Sequence, residues 1–189
     1  MDFSEALNPS FLKLAVQYYI AARSAALAGL MPVSGNLYHH AIEMFLKAQL
    51  SQAKSLEVLK NRLGHDLSAL WQSFKGDFLT ISFEQFNDTI ASLCPFENIR
   101  YPENMIKEGA QMAIIWNKSP FLTGSLLESR VPRYEICVND IDLLVARIFE
   151  VCSKNPLFFM ATLNEYGRNA ILHKNPASDT WSSPIPVIK

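Results

Sequence analysis

The chain has 189 residues, 49% apolar and 19% charged, which is enough for one domain with a full core and too apolar for a largely disordered protein. Its 17 Lys and Arg stand against 18 Asp and Glu, so no overall positive field exists to hold nucleic acid by counterion release, and any such contact must be local. The three cysteines, Cys94, Cys137 and Cys152, form no C-x-x-C pair and are expected to be buried thiols of a reducing cytosol. The opening MDFSEALNPS is acidic where a signal peptide is basic, and no uncharged apolar run reaches the roughly 18 residues of a membrane span. A soluble, cytoplasmic chain without a membrane partner is therefore expected.

In chain order, Asn8 is placed to cap a helix with Pro9 in its first turn, where a missing N–H costs nothing. Phe11, Leu12, Ala15, Val16, Tyr19 and Ile20 recur at three- and four-residue steps, and Gly29 and Pro32 supply a stop after about Leu27. Ser34, Gly35 and Asn36 read as a turn that restarts the chain in a central helix over 36–52. That helix buries Leu37, Tyr38, Ala41, Ile42, Phe45, Leu46 and Ala48, with His39, Glu43 and Lys47 at four-residue spacing on a polar back. So short a connection makes the two helices antiparallel neighbours.

The charged segment 53–63 extends or follows the central helix until Gly64 interrupts it. Asp66 is a plausible N-cap for a short helix turning Leu67, Leu70, Trp71 and Phe74 inward. Phe83, Phe86, Ile90 and Leu93 predict a helix over 83–93, closed by Pro95. Residues 98–103 read as a non-helical connector, because the residue before a proline avoids the α region. Within 105–135 the apolar run 111–116 fits a buried strand or a helix segment, and periodicity does not decide between them. From Asn139 the positions Ile141, Leu144, Val145, Ile148, Phe149 and Cys152 make an amphipathic helix. Asn155 and Pro156 open a last helix to about Lys174. The folded domain is expected over 1–175, and the Ser- and Pro-rich tail 176–189 is expected to be extended or loosely ordered.

Three strings in order, YHHAIEMFLKAQL at 38–50, GHDL at 64–67 and NIRYPE at 98–103, resemble the HEPN family over roughly residues 10–150. The resemblance implies an all-α, up-and-down bundle of four to five core helices with additional short helices and a C-terminal helix, often a homodimer. Many members sit beside nucleotidyltransferases or act in RNA-cutting defence systems; others lack catalytic residues and serve as binding or assembly modules. The stretch 104–135 is longer and more apolar than the family leads one to expect.

The family's ribonucleases carry an Arg, a polar residue and then a His a few positions on, a pattern matched by Arg168, Asn169 and His173. A His can shuttle the proton of a ribose 2′-hydroxyl while an Arg holds the charge developing on the phosphate, with no metal. Against this, the five-residue step turns the two side chains about 140° apart on one helix, and a His near a helix C-terminus also complements the dipole. For ligand binding the candidates are Arg100 and Tyr101, a planar donor fork and a stacking ring, with His39, His40, Glu43 and His65. Arg100 and Tyr101 can equally brace the bundle around Pro102. His39 and Glu43 share a face at i and i+4, but the sequence offers no third ligand nearby and no H-E-x-x-H; a surface His–Glu pair beside a buried or interfacial His40 is expected, with no metal. His65 and Asp66 read first as turn and cap. There is no G-x-S-x-G elbow and no phosphate-cradling glycine loop, so no cofactor is expected. The expectation is a non-catalytic HEPN-like module that homodimerises and binds a nucleotide, RNA or protein partner such as a nucleotidyltransferase. The alternative is a metal-independent endoribonuclease using Arg168 and His173.

Overall fold

The computed structural model describes residues 3–100, 103, 112–117 and 134–182, without the side chains of 3–7 and 100. The protein is a mostly helical bundle built on one antiparallel hairpin. Helix α1 (Phe3–Leu27) runs straight through Pro9, so Asn8 is not its cap. The Asn8 side-chain amide instead donates to Ala48 O at 2.5 Å, tying the start of α1 to the end of α2 (Val33–Leu50). Between them, Leu30 N–H reaches Ala25 O at 2.8 Å and Gly29 N–H reaches Ala26 O at 3.0 Å, with Gly29 at φ +69°. This is a Schellman stop, and the left-handed residue is the glycine. The Met31–Pro32 peptide is cis, and α2 begins at once, so Ser34, Gly35 and Asn36 are helical rather than a turn.

The hairpin core follows the predicted stripes: Leu12, Ala15, Val16, Tyr19, Ala22 and Ala26 of α1 face Tyr38, Ala41, Ile42, Phe45 and Leu46 of α2, all buried. Alanines on α1 let the backbones approach closely. Beyond α2, a single π-helical turn (Val58–Arg62) buries Leu59, and Asp66 caps α3 (Leu67–Gly76), its side chain accepting from Ala69 N–H at 2.9 Å. Leu67, Leu70, Trp71 and Phe74 are buried as expected. The predicted 83–93 helix divides into a 3-10 turn (Glu84–Phe86) and α4 (Asn87–Leu93). Pro95 does not close it. The chain continues as a 3-10 helix (Cys94–Arg100) with Pro95 in its first turn, where the missing N–H has no partner to lose. Asn98 to Arg100 therefore belong to helical structure, and Tyr101 and Pro102 lie outside the described residues. Phe96 of this segment lies over Gly35, where a Cβ would overlap its ring.

Residues 112–115 resolve as a strand. β1 (Met112–Ile115) pairs in parallel with β2 (Tyr134–Cys137), Met112 opposite Tyr134 and Ile115 opposite Cys137. These are the only strands among the described residues. β2 leads directly into α5 (Val138–Val151), whose Ile141, Leu144, Val145, Ile148 and Phe149 are buried.

The expected last helix is two. α6 (Leu157–Met160) stops after one turn, and α7 (Glu165–Leu172) restarts at Asn164, whose side chain accepts from Gly167 N–H at 2.9 Å. The folded chain also continues past 175: α8 (Ser178–Ser182) seats Trp181, 0% exposed, flat on Tyr19 with ring centroids 5.6 Å apart and edge-on to Phe149 at 5.1 Å. The loose tail therefore does not start at 176. This end is fastened by Arg23, which is fully buried. It pairs with Asp142 through Nη1 and donates through Nε to Ala170 O at 2.6 Å and through Nη2 to His173 O at 2.5 Å. Tyr19 Oη donates to Asp142 at 2.6 Å, and Asn175 Nδ2 donates to Tyr19 Oη at 3.1 Å. Of the three free thiols, Cys137 is buried, while Cys94 and Cys152 are half-buried.

Candidate functional site

The polar back of α2 is not a solvated face. His39 is 1% exposed, Glu43 0% and Lys47 6%, because the 3-10 segment after α4 and the turn before α3 fold over them. The spacing i, i+4, i+8 stacks these three side chains in one row along the helix, and the neighbouring segments add Glu97 and His65 to it.

Glu43 is the hub. Its Oε1 accepts from Lys47 Nζ at 2.7 Å and lies 3.0 Å from His65 Nδ1; its Oε2 lies 3.3 Å from His40 Nδ1 and 3.9 Å from His39 Nε2. Burial pushes the Glu43 carboxyl up, but the contacts from His40, Lys47 and His65 outweigh it and hold the group at about 2. Glu43 is thus a buried, permanent carboxylate. His39 Nδ1 lies 3.0 Å from Leu93 O. A carbonyl only accepts, so Nδ1 carries the proton. Burial lowers the pKa of His39, against the backbone bond and the Glu97 and Glu43 carboxylates, and keeps the ring neutral. Its Nε2 is then a lone pair. It faces Glu97 Oε2 at 3.4 Å, but makes no hydrogen bond to any described residue.

The expected surface pair is therefore a buried one: His39 and Glu43 are inside, and His40, at 15% side-chain exposure, is the one that reaches the edge. His65, 57% exposed, joins the Glu43 carboxylate while Asp66 alone does the capping. The fold supplies ligand-type atoms that the sequence holds far apart. His39, His40 and Glu97 form one triad and His40, Glu43 and His65 a second, each with its ligating atoms within 4.8 Å of one another. Sequence reasoning missed Glu97 and the role of Lys47. The available signal was the polar row on a helix otherwise apolar.

Arg168 lies in the middle of α7 and His173 caps its C-terminus. The Arg168 guanidinium folds back to donate to Leu163 O on the N-terminal side, while His173 is the C-cap with extended backbone. Both are exposed, as is Asn169, and no hydrogen bond or ion pair among the described residues joins Arg168 to His173. What the fold takes from His173 is its carbonyl, held by Arg23. The Arg100 side chain and Tyr101 fall outside the described residues.

A second concavity was not legible in the sequence. A groove of about 650 Å³ runs between α1 and 154–162, lined by Leu12, Lys13, Lys154, Phe158 and Phe159 among others. Phe158 is 73% exposed, unusual for a large ring and consistent with a contact surface. Among the described residues no helix is long and apolar enough to cross a membrane. Compared with protein-family models, curated proteins and solved structures, the chain matches none.

Proposed function

We propose that the chain is a non-catalytic HEPN-like helical module, a cytoplasmic homodimer that binds a nucleotide or single-stranded RNA in the groove between α1 and 154–162. The observation that carries this reading is Phe158, 73% exposed, lining one groove with Lys13, Lys154 and the apolar Leu12 and Phe159. An exposed ring offers a base a stacking surface worth about 1–3 kcal/mol, and the flanking ammoniums suit a phosphate. Such a local pair is what a chain of net charge −1 requires. Self-association is supported by Leu27, Leu30 and Val33, 38%, 52% and 50% exposed around the hairpin turn.

Anisotropy of a labelled single-stranded RNA oligonucleotide tests the groove. Phe158→Ala should weaken binding about 5- to 150-fold, and Lys13→Ala with Lys154→Ala should flatten its salt dependence. Affinity unchanged in both variants, or no binding by the wild type, rejects the groove and leaves a protein partner such as a nucleotidyltransferase. Light scattering behind size exclusion tests the dimer; a monomer at micromolar concentration rejects it. The endoribonuclease alternative would be favoured over this reading only by RNA cleavage in EDTA that is lost in His173→Ala.

A further inference from the structure

We propose that His39, His40, Glu43 and Glu97 form a site for one divalent transition ion of the zinc class, with Lys47 and His65 holding the Glu43 carboxylate in place.

His39 Nε2 is a lone pair without a hydrogen bond, on a ring 1% exposed, aimed at two carboxylate oxygens that are also electron-rich, Glu97 Oε2 at 3.4 Å and Glu43 Oε2 at 3.9 Å. His39 Nε2 is buried and Glu97 is exposed over only 27% of its side chain, so a cation bound by these lone pairs would satisfy the one nitrogen that has no hydrogen bond. The ring is oriented as a metal-binding histidine is: its other nitrogen donates to a backbone carbonyl, Leu93 O at 3.0 Å, which fixes the tautomer and frees Nε2. On Glu43, Oε1 accepts from Lys47 at 2.7 Å and Oε2 is the oxygen nearest His39 and His40, with His65 against both. His40 Nδ1, 3.3 Å from Oε2, completes the set once its proton shifts to Nε2, the tautomer that ligation through Nδ1 requires.

The spacing fits. Zinc bonds to nitrogen and oxygen of about 2.0–2.1 Å place tetrahedral neighbours about 3.3–3.4 Å apart. The His40–Glu43 and His39–Glu97 separations of 3.3 and 3.4 Å match that spacing, while the His39–Glu43 pair at 3.9 Å and the other atoms of the His39, His40 and Glu97 triad, within 4.8 Å of one another, have to draw in around the ion. Two imidazoles with two carboxylates favour zinc, cobalt or nickel over magnesium or calcium, which prefer all-oxygen sets. The third histidine, His65, is 57% exposed and contacts both Glu43 oxygens at 3.0 and 3.1 Å, so it braces the carboxylate from the solvent side.

The test uses untagged full-length protein stripped with a chelator, titrated with Co²⁺ and followed by visible d–d absorption, with Zn²⁺ titrated by calorimetry. One ion per chain with the intense bands of tetrahedral cobalt is expected. Glu97→Gln and His40→Gln should each weaken binding tenfold or more at unchanged far-UV circular dichroism, and His173→Ala should bind as wild type. If His39→Gln fails to fold, Glu97→Gln decides, since Glu97 is 27% exposed on its side chain. Absence of both the bands and the calorimetric heat in the wild type overturns the site. Wild-type affinity in Glu97→Gln and His40→Gln overturns it equally.

Discussion

Replacing Arg23 by Met keeps the length of an unbranched side chain and removes the charge. Three groups then lose the guanidinium at once: the Asp142 carboxylate and the carbonyls of Ala170 and His173. Arg23 and Asp142 are each 0% exposed, so water cannot replace what is lost. Breaking one side of a buried ion pair costs about 3–5 kcal/mol, because the remaining charge stays desolvated. Tyr19 still donates to Asp142 at 2.6 Å, which holds the expected loss near the middle, about 4 kcal/mol. For a chain of this size that lowers Tm by about 8–16 °C, against a total stability usually of about 5–15 kcal/mol. Urea unfolding followed by circular dichroism gives the number, and Arg23→Met with Asp142→Leu completes a double-mutant cycle. The double variant should recover part of the loss, since the orphaned carboxylate is gone. A loss under about 1 kcal/mol for Arg23→Met, or strictly additive single effects, would refute the claim that this pair fastens the C-terminal elements.

Gly35→Ala drives a methyl into the buried Phe96 ring, so a loss of about 1–3 kcal/mol is expected from overpacking; wild-type thermal stability would mean that Phe96 does not rest on α2. Tyr38 Oη is buried with no hydrogen-bond partner among the described residues. Tyr38→Phe should therefore leave stability unchanged or raise it by up to about 1 kcal/mol, and a loss beyond about 1 kcal/mol in urea unfolding contradicts that. Burial pushes the Cys152 thiol up to about 12, so at pH 8 only about one in ten thousand is thiolate. Iodoacetamide mapped by mass spectrometry should leave Cys152 unmodified in the folded protein, and labelling as fast as in urea would speak against its packing.

The hairpin and α3 were readable because each rests on local chemistry: a stripe at helical spacing, Gly29 where φ is positive, and an Asp66 that finds Ala69 N–H within its own turn. The errors share a different cause. The row His39, Glu43, Lys47 looks the same in sequence whether water or another polar segment covers it, and only the 3-10 segment carrying Glu97 decides which. Asn8 and Pro9 carry a strong start signal, yet the Asn8 amide finds Ala48, 40 residues away, and the helix begins earlier. The Ser and Pro content of 176–189 reads as a loose tail, and Trp181 is the contrary sign: a large ring in a polar stretch that packs on Tyr19. The groove residues Lys13, Lys154 and Phe158 had no local mark, because a concavity between distant segments leaves none.

The Arg23 cluster also bears on the order of assembly. The α1–α2 hairpin closes over a few residues, whereas the contacts from Arg23 to Asp142, Ala170 and His173 span 119, 147 and 150 residues. Closing a loop that long costs about 2 kcal/mol more than closing ten residues, and the reward arrives only when a guanidinium leaves water for partners already in place. The hairpin is thus built to form early and the cation to stay hydrated until last. Amides of α7 and α8 should therefore exchange with solvent at a lower opening free energy than those of α2, so that the seam closed last is also the one expected to reopen first.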